Sequence, residues 1–510
     1  MTSFPAIPHR GALGNAVSRA FGFLLLYGMM AGALACPAVT FSLETKAHAT
    51  ELTPAELQLD FDQMRSMLEE VHPGLYRYST KASMDRMFQS ERSKLNRPMT
   101  RPEFWTIASQ TVSQIRCGHT KVSMDDASRD VMSEARKFPF RVLIENHRIK
   151  VLFNDTPDNK TIRPGMEITK VNNHKAAEIL HRLLPLVPGD GDIETGKWNE
   201  IGNLFAQYYW LAFEQSTEFT VEARNSSGPR VFAHLPGITD SERRTNHNIV
   251  NDAIRAKLRE LRGWSSDNLA MRFLYGGKVA EIHIGHFVGD NFSQWAKTIF
   301  ETLQQKQTKV LILDLRGNGG GEDKYVSLFL SFLVNKPFRY LDHVDIKTIT
   351  PSFQDQLGWS ADFATILKER TVPNPSGGYH LTAQMLPGLA DQPPADHTFQ
   401  GSVFVLIDGG SFSGAADLAA LIHHLKRGKF IGEETGGGYY GNSSGKLPTV
   451  TLPNSGLKLQ IPLYGYWNAV AGDGDERRGT RPDYLVPTDI SAVLKGQDQQ
   501  LNTALKLAGR

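Results

Sequence analysis

Twice in the carboxyl-terminal half a nearly continuous apolar run stops at clustered glycines and restarts as an apolar helix. No other pattern constrains the fold as much. In VLILDLRGNGGG, Val310 to Gly321, the run ends at Gly317, Gly319, Gly320 and Gly321. In VLIDGGSFSGAADLAALIHH, Val405 to His424, it passes Gly409 and Gly410 and resumes with helical spacing at Ala415, Leu418, Ala419 and Ile422. Strands without polar alternation are buried on both faces, which is the mark of a parallel sheet covered by helices. A hairpin turning at Gly276 and Gly277 and the helical stretches NFSQWAKTIFETLQQKQ and KYVSLFLSFLV complete a βαβα alternation. Residues 266–510 therefore read as one α/β domain. Such sheets bind ligands beyond the carboxyl ends of their strands, and Ser411 or Ser413 stands there at a helix start. Helix amides stabilise negative charge developing beside a hydroxyl, although serine is also an ordinary N-cap.

The amino-terminal half follows other periods. Residues 50–136 are helical in pattern and open on a capping pair, Thr53 and Glu56. A second helix, RPEFWTIASQTVSQI, ends near RCGHT and leaves His119 just past its end, where histidines commonly bond the last carbonyls. From about Phe138 short alternating strands take over. Residues 138–235, with PGMEITKVNN as a hairpin before a helix, resemble a PDZ domain, and that resemblance implies a peptide ligand added to a sheet edge. Residues 236–265 read as a charged linker helix.

Residues 1–49 differ from the rest. Arg10 and Arg19 precede an uncharged run from Ala20 to Leu43, and Ala47 to Ala49 supply small residues for cleavage, the pattern of a secretory signal peptide. The run is also long enough to span a bilayer if retained, and Cys36 is a possible lipid attachment point. The expectation is cleavage and export, periplasmic or secreted, with membrane contact only if the leader is retained or lipidated. Loss of Arg10, Arg19, Lys46 and Glu44 from 56 basic and 54 acidic residues leaves the mature chain without net charge. No basic excess exists to hold phosphate backbones, which argues against nucleic acid. Cys117 then remains alone, so an internal disulfide is impossible and cysteine zinc sites are excluded with it.

VLILDLRGNGGG, then GGSFSGAAD, then FIGEETGGG resemble in order the carboxyl-terminal processing, or tail-specific, serine peptidases. The order of segments matches as well. The resemblance implies an α/β fold with a crotonase-like core, an amino-terminal helical segment and a PDZ-like β-rich insert. It also implies Ser413 as nucleophile, Ser411 as a helix-entry residue, and an oxyanion hole of the Gly414 amide with one from Gly319 or Gly320. GNGGGEDK lacks the ending of a phosphate loop, and GGSFSG lacks the first glycine of a nucleophile elbow.

One position departs from that pattern. Where those peptidases carry a lysine base, about twenty-five residues after the serine, this chain has Gly438. The tricorn-type branch of the superfamily uses histidine and glutamate instead, which maps onto His119 in RCGHT as base and Glu476 in ERRGTRPDY as the orienting carboxylate. Asp473, Asp475, Glu433 and Glu434 are neighbouring candidates for that carboxylate, and Lys446 and Lys429 are alternative bases. His423 and His424 are adjacent on a helix and point apart, so no metal and no cofactor is expected. The resulting expectation is an exported serine peptidase acting on a peptide or protein substrate. The alternative is an inactive binding member of the superfamily, as the retinoid-binding relatives illustrate.

Overall fold

Thr53 and Glu56 close a reciprocal capping box on the helix Pro54–Val71. Leu57, Phe61, Met64, Leu68 and Val71 are buried at three- and four-residue intervals along it, which is one face of a helix. The computed structural model that shows this describes residues 51–225, 228–251, 268–470, 472 and 475–510. The expected signal peptide at 1–49, the part of the expected linker helix beyond residue 251 and Asp473 lie outside the described residues. Asp60, on the buried face of the first helix, accepts the N–H groups of Asn454 at 3.0 Å and Ser455 at 2.7 Å. Those bonds join the first helix to the far end of the chain.

The helix Arg101–Ser113 carries a second capping box, Thr100 with Glu103. Beyond it the strand Lys121–Ser123 pairs antiparallel with Lys458–Gln460, and Gln460 Nε2 extends that pairing by donating to the His119 carbonyl at 2.8 Å. This short ladder draws the RCGHT turn onto the carboxyl-terminal half.

Residues 140–236 build a separate antiparallel sheet from Phe140–Glu145, Arg148–Asn154, Glu167–Val171, Glu218–Arg224 and Arg230–Pro236. Two helices, Ala176–Leu183 and Thr195–Ala212, belong to the same unit, and the turn between them holds Asp190.

The central sheet runs Tyr484–Leu485, Lys429–Gly432, Ser402–Ile407, Val310–Asp314, Val279–Ile284 and Leu269–Leu274. All neighbours are parallel except the last pair, the expected hairpin. Its continuous apolar runs are explained by burial on both faces. Leu311, Leu313, Val403 and Val405 point into the main core, while Val310, Ile312, Phe404 and Leu406 meet Leu501 and Ala504 of the helix Gln499–Leu507. No helix among the described residues is long and apolar enough to cross a membrane.

Arg316 fastens that last helix. Its guanidinium bonds Asp314 at 2.7 Å and Asp498 at 2.9 Å, and Asp498 also caps the helix. The Arg316 charge holds the buried Asp314 carboxyl well below the usual carboxylate range. Removing one partner of a buried pair leaves an uncompensated charge and costs about 3–5 kcal/mol. Arg316→Met is therefore expected to lower the free energy of unfolding by that amount in denaturant titrations. A loss below about 1 kcal/mol would show that the cluster does not anchor the helix.

Candidate active site

Two glycine loops leave the carboxyl ends of adjacent parallel strands, and buried polar groups tie them together. Asp408 Oδ1 accepts the N–H groups of Gly410 at 2.9 Å and Gly317 at 2.8 Å. Asn318 is fully buried; its carbonyl accepts the Phe412 N–H at 2.9 Å and its Nδ2 donates to the Ile284 carbonyl at 2.8 Å. Ser411 Oγ accepts the Asp408 N–H at 3.1 Å and donates to the Leu315 carbonyl at 2.8 Å. The expected helix-entry role of Ser411 is thus corrected: its hydroxyl is spent joining the two loops. The residue at the start of the helix Gly414–His424 is Ser413, and its side chain caps nothing.

Ser413 sits at φ 53° and ψ −130°, a conformation that costs a non-glycine residue about 1–3 kcal/mol. The turn is strained like a nucleophile elbow even though the motif lacks that elbow's first glycine. Backbone from neighbouring loops crowds it. A Cβ on Gly320, itself at φ 99°, would lie 2.6 Å from Ser413 Cβ and 2.8 Å from the Gly414 nitrogen. One on Gly437 would lie 3.1 Å from the Ser413 nitrogen. Of the two amides expected to complement Gly414, that of Gly320 is already committed to Asn318 Oδ1 at 2.8 Å. Gly319 is left as the expected second donor.

The RCGHT turn packs directly on this loop. The His119 ring lies 4.7 Å from the ring of Phe412, the residue before Ser413, and a Cβ on Gly118 would strike Phe412 at 2.6 Å. His119 does not cap the preceding helix; its Nδ1 is buried without a hydrogen-bond partner. Burial, with Lys121 adding to it, depresses its pKa to about 3, so the imidazole is neutral. The buried carboxylate beside it is Asp190, which the sequence reading did not select. Asp190 Oδ1 accepts the Gly118 N–H at 2.8 Å and Oδ2 the Gly438 N–H at 3.3 Å, and burial pushes its pKa up to about 6. An oxygen of Asp190, a ring nitrogen of His119 and Cys117 Sγ all lie within 4.8 Å of one another. Burial pushes the Cys117 thiol up to about 12, so it is no thiolate nucleophile.

A second buried histidine, also overlooked, braces this turn. His72 Nδ1 accepts the Gly74 N–H at 3.1 Å, which leaves the proton on Nε2 to meet Thr120 Oγ1 at 2.7 Å.

The other expected residues stand apart. Glu476 is exposed and is not bonded to His119 Nδ1. Asp475 is exposed too and accepts the Arg477 N–H at 2.9 Å. Glu434 pairs with Arg478 and accepts the Gly479 N–H at 2.8 Å, and Glu433 turns toward Thr488. Lys429 opens its strand at the end away from the glycine loops and pairs with Asp483 at 3.1 Å. Lys446 is exposed over the ring of Phe363 at 4.9 Å. Neither amine has the desolvated setting a lysine base requires. His423 Nδ1 meets the Tyr439 hydroxyl at 2.9 Å.

Residues 278–486 match the model of peptidase family S41. The chain carries a peptidase family S41 domain. Its fold is similar to that of mature CPAF, with 16% identity and a TM-score of 0.60 over 89% of this chain and 97% of that one. Mature CPAF complexed with lactacystin gives a TM-score of 0.61 at 16% identity, over 89% and 98% of the two chains. Comparison with curated protein sequences returns no match. The S41 domain makes the chain a serine-type peptidase and includes both glycine loops and Ser413. His119 and Asp190 lie before it, in the amino-terminal half.

Behind Ser413 in the S41 domain, Asp417 is buried and accepts bonds from Asn468 Nδ2 at 2.9 Å and the Tyr340 hydroxyl at 3.0 Å. Burial pushes its pKa up to about 7, against those bonds and with the Asp323 charge adding to the rise. The folded chain therefore binds this proton more tightly than the unfolded chain. The cost of the anion appears as pH rises from about 4 to about 7 and is complete above that. Asp417→Asn is expected to raise the free energy of unfolding at pH 8, by at most about 4 kcal/mol, with the gain vanishing near pH 4. A gain independent of pH would refute the assignment. Relief of backbone strain makes a second expectation, that Ser413→Gly is more stable than Ser413→Ala by about 1 kcal/mol or more in denaturant unfolding.

Proposed function

We propose that the chain is an exported serine peptidase in which Ser413 is the nucleophile and His119 its general base. The observation that carries this reading is the convergence on one point of a strained serine, a helix start and a neutral buried histidine packed on the adjacent residue. Ser413 Oγ adds to the scissile carbonyl as His119 removes its proton, and the oxyanion is held by the amides of Gly414 and Gly319. His119 returns the proton to the leaving amine, and water then releases the acyl group by the reverse sequence. The substrate is a peptide or protein, in keeping with the peptidase domain. The signal-like pattern of residues 1–49 supports export. The antiparallel unit of residues 140–236 is proposed as a PDZ-like docking module for extended peptide, and the parallel sheet as a crotonase-like core.

For the carboxylate that stabilises the imidazolium, burial and proximity favour Asp190 over the exposed Glu476. A carboxylate in water is screened and contributes little to a charge that forms inside the protein.

The test is labelling of the mature protein by a fluorophosphonate probe. Wild type is expected to react and Ser413→Ala not at all. His119→Ala should slow labelling by about 10²–10⁴-fold, the usual share of a general base. Asp190→Asn should slow it by about tenfold or more, while Glu476→Gln stays within about twofold. Equal labelling of wild type and Ser413→Ala would remove the nucleophile assignment. Unchanged labelling in His119→Ala would remove the base, and no labelling of wild type would favour a binding protein that has lost turnover.

A further inference from the structure

Three donor atoms of different chemistry meet where the RCGHT turn packs on the loop that carries Ser413. Cys117 Sγ, a ring nitrogen of His119 and a carboxylate oxygen of Asp190 are mutually within 4.8 Å, and all three residues are buried. We propose that they form a zinc site whose occupancy switches the peptidase off by engaging the His119 imidazole. This inference rests on His119 being the base.

Sulfur, imidazole nitrogen and carboxylate oxygen are the three ligand types zinc takes from proteins, at about 2.0–2.3 Å. Donors around a tetrahedral zinc stand roughly 3.3–3.8 Å apart by that geometry, so the trio needs to close by only about 1 Å. A second, independent observation points the same way. His119 is 8% exposed and its Nδ1 has no hydrogen-bond partner, an unfavourable condition for a buried polar atom. A histidine whose tautomer is fixed by packing bonds, as in His72, has no such vacancy.

The donors are also pre-positioned. Gly118, between Cys117 and His119, is pinned by its N–H to Asp190 Oδ1 at 2.8 Å, and the Phe412 ring leaves it no room for a side chain. Asp190 Oδ2 is held by the Gly438 N–H at 3.3 Å, and Cys117 Sγ faces the Ser443 carbonyl at 3.4 Å. Outer bonds of this kind orient ligands and tune affinity.

On binding, the Cys117 S–H bond breaks, a zinc–sulfur bond forms and one proton leaves for solvent; neutral His119 donates its ring lone pair, and no oxidation state changes. With that lone pair engaged by the metal, His119 cannot take the Ser413 proton. Zinc thereby inhibits without touching substrate.

The test titrates the full mature chain with Zn²⁺ alone and, for a spectrum, with Co²⁺. Expected are one metal per chain, a thiolate-to-cobalt charge-transfer band, release of about one proton, and loss of fluorophosphonate labelling that a chelator restores. Cys117→Ser and Cys117→Ala should lose the band, weaken zinc binding at least tenfold, and label at the wild-type rate whether or not zinc is present. Asp190→Asn, with its fold checked by circular dichroism, should likewise bind zinc at least tenfold more weakly, and this variant decides the matter should both Cys117 changes fail to fold. Absence of the cobalt band, or zinc affinity unchanged in these variants, overturns the site. Metal bound with labelling unaffected overturns the switch. The cobalt spectrum does not depend on turnover, so failure of the metal site and failure of the His119 base assignment are read separately.

Discussion

One buried carboxylate holds the candidate site together. Asp190 reaches the Gly118 amide on one side and the Gly438 amide on the other, and so joins the helical segment, the antiparallel unit and the S41 domain. The charge is costly where it sits, which is why its pKa is pushed up to about 6; two N–H donors offset part of that cost. The bridge acts together with the Lys121–Ser123 ladder, the Gln460 bond to the His119 carbonyl and the packing of Gly118 and His119 on Phe412 to seat the RCGHT turn on the carboxyl-terminal half. The bridge also explains why residue 118 is glycine, since the same closeness that allows the bond sets the Phe412 ring against its α-carbon.

The second constraint is the parallel pairing of Val310–Asp314 with Ser402–Ile407. It brings two glycine loops side by side at one sheet edge, where Asp408, Asn318 and Ser411 satisfy their backbone groups. Held from several directions, the loop keeps Ser413 in a conformation that an isolated turn would abandon. The strain at Ser413 and the burial of Asp417 are both unfavourable for stability. Both lie in the loop and helix that position the serine, the usual place for such conflicts between folding and chemistry.

Much of the local structure could be read from neighbouring residues. Thr53 with Glu56, the turn at Gly276 and Gly277, and the unbroken runs of the central strands each rest on interactions within a few positions along the chain. The errors have a common form. Ser411 reads as a helix cap because caps are judged locally, yet its partner Leu315 lies 96 positions away. Glu476 was drawn from a motif with no means of telling an exposed carboxylate from a buried one, and Asp190 carries no local signal at all. Gly320 reads as an amide donor from its place in the glycine run, yet its N–H is bonded to Asn318 Oδ1.

The α/β character of the carboxyl-terminal half, the helical opening and the serine at a strand-to-helix turn follow from neighbouring residues alone, because periodicity and glycine placement act over short stretches of chain. Which charged group lies beside His119, which hydroxyl is spent on scaffolding, and that Cys117 lies close to a histidine and a carboxylate are set by the folded arrangement. Those outcomes depend on burial and on contacts between residues tens to hundreds of positions apart. Desolvation acts on the folded surface, and no single stretch of sequence contains it.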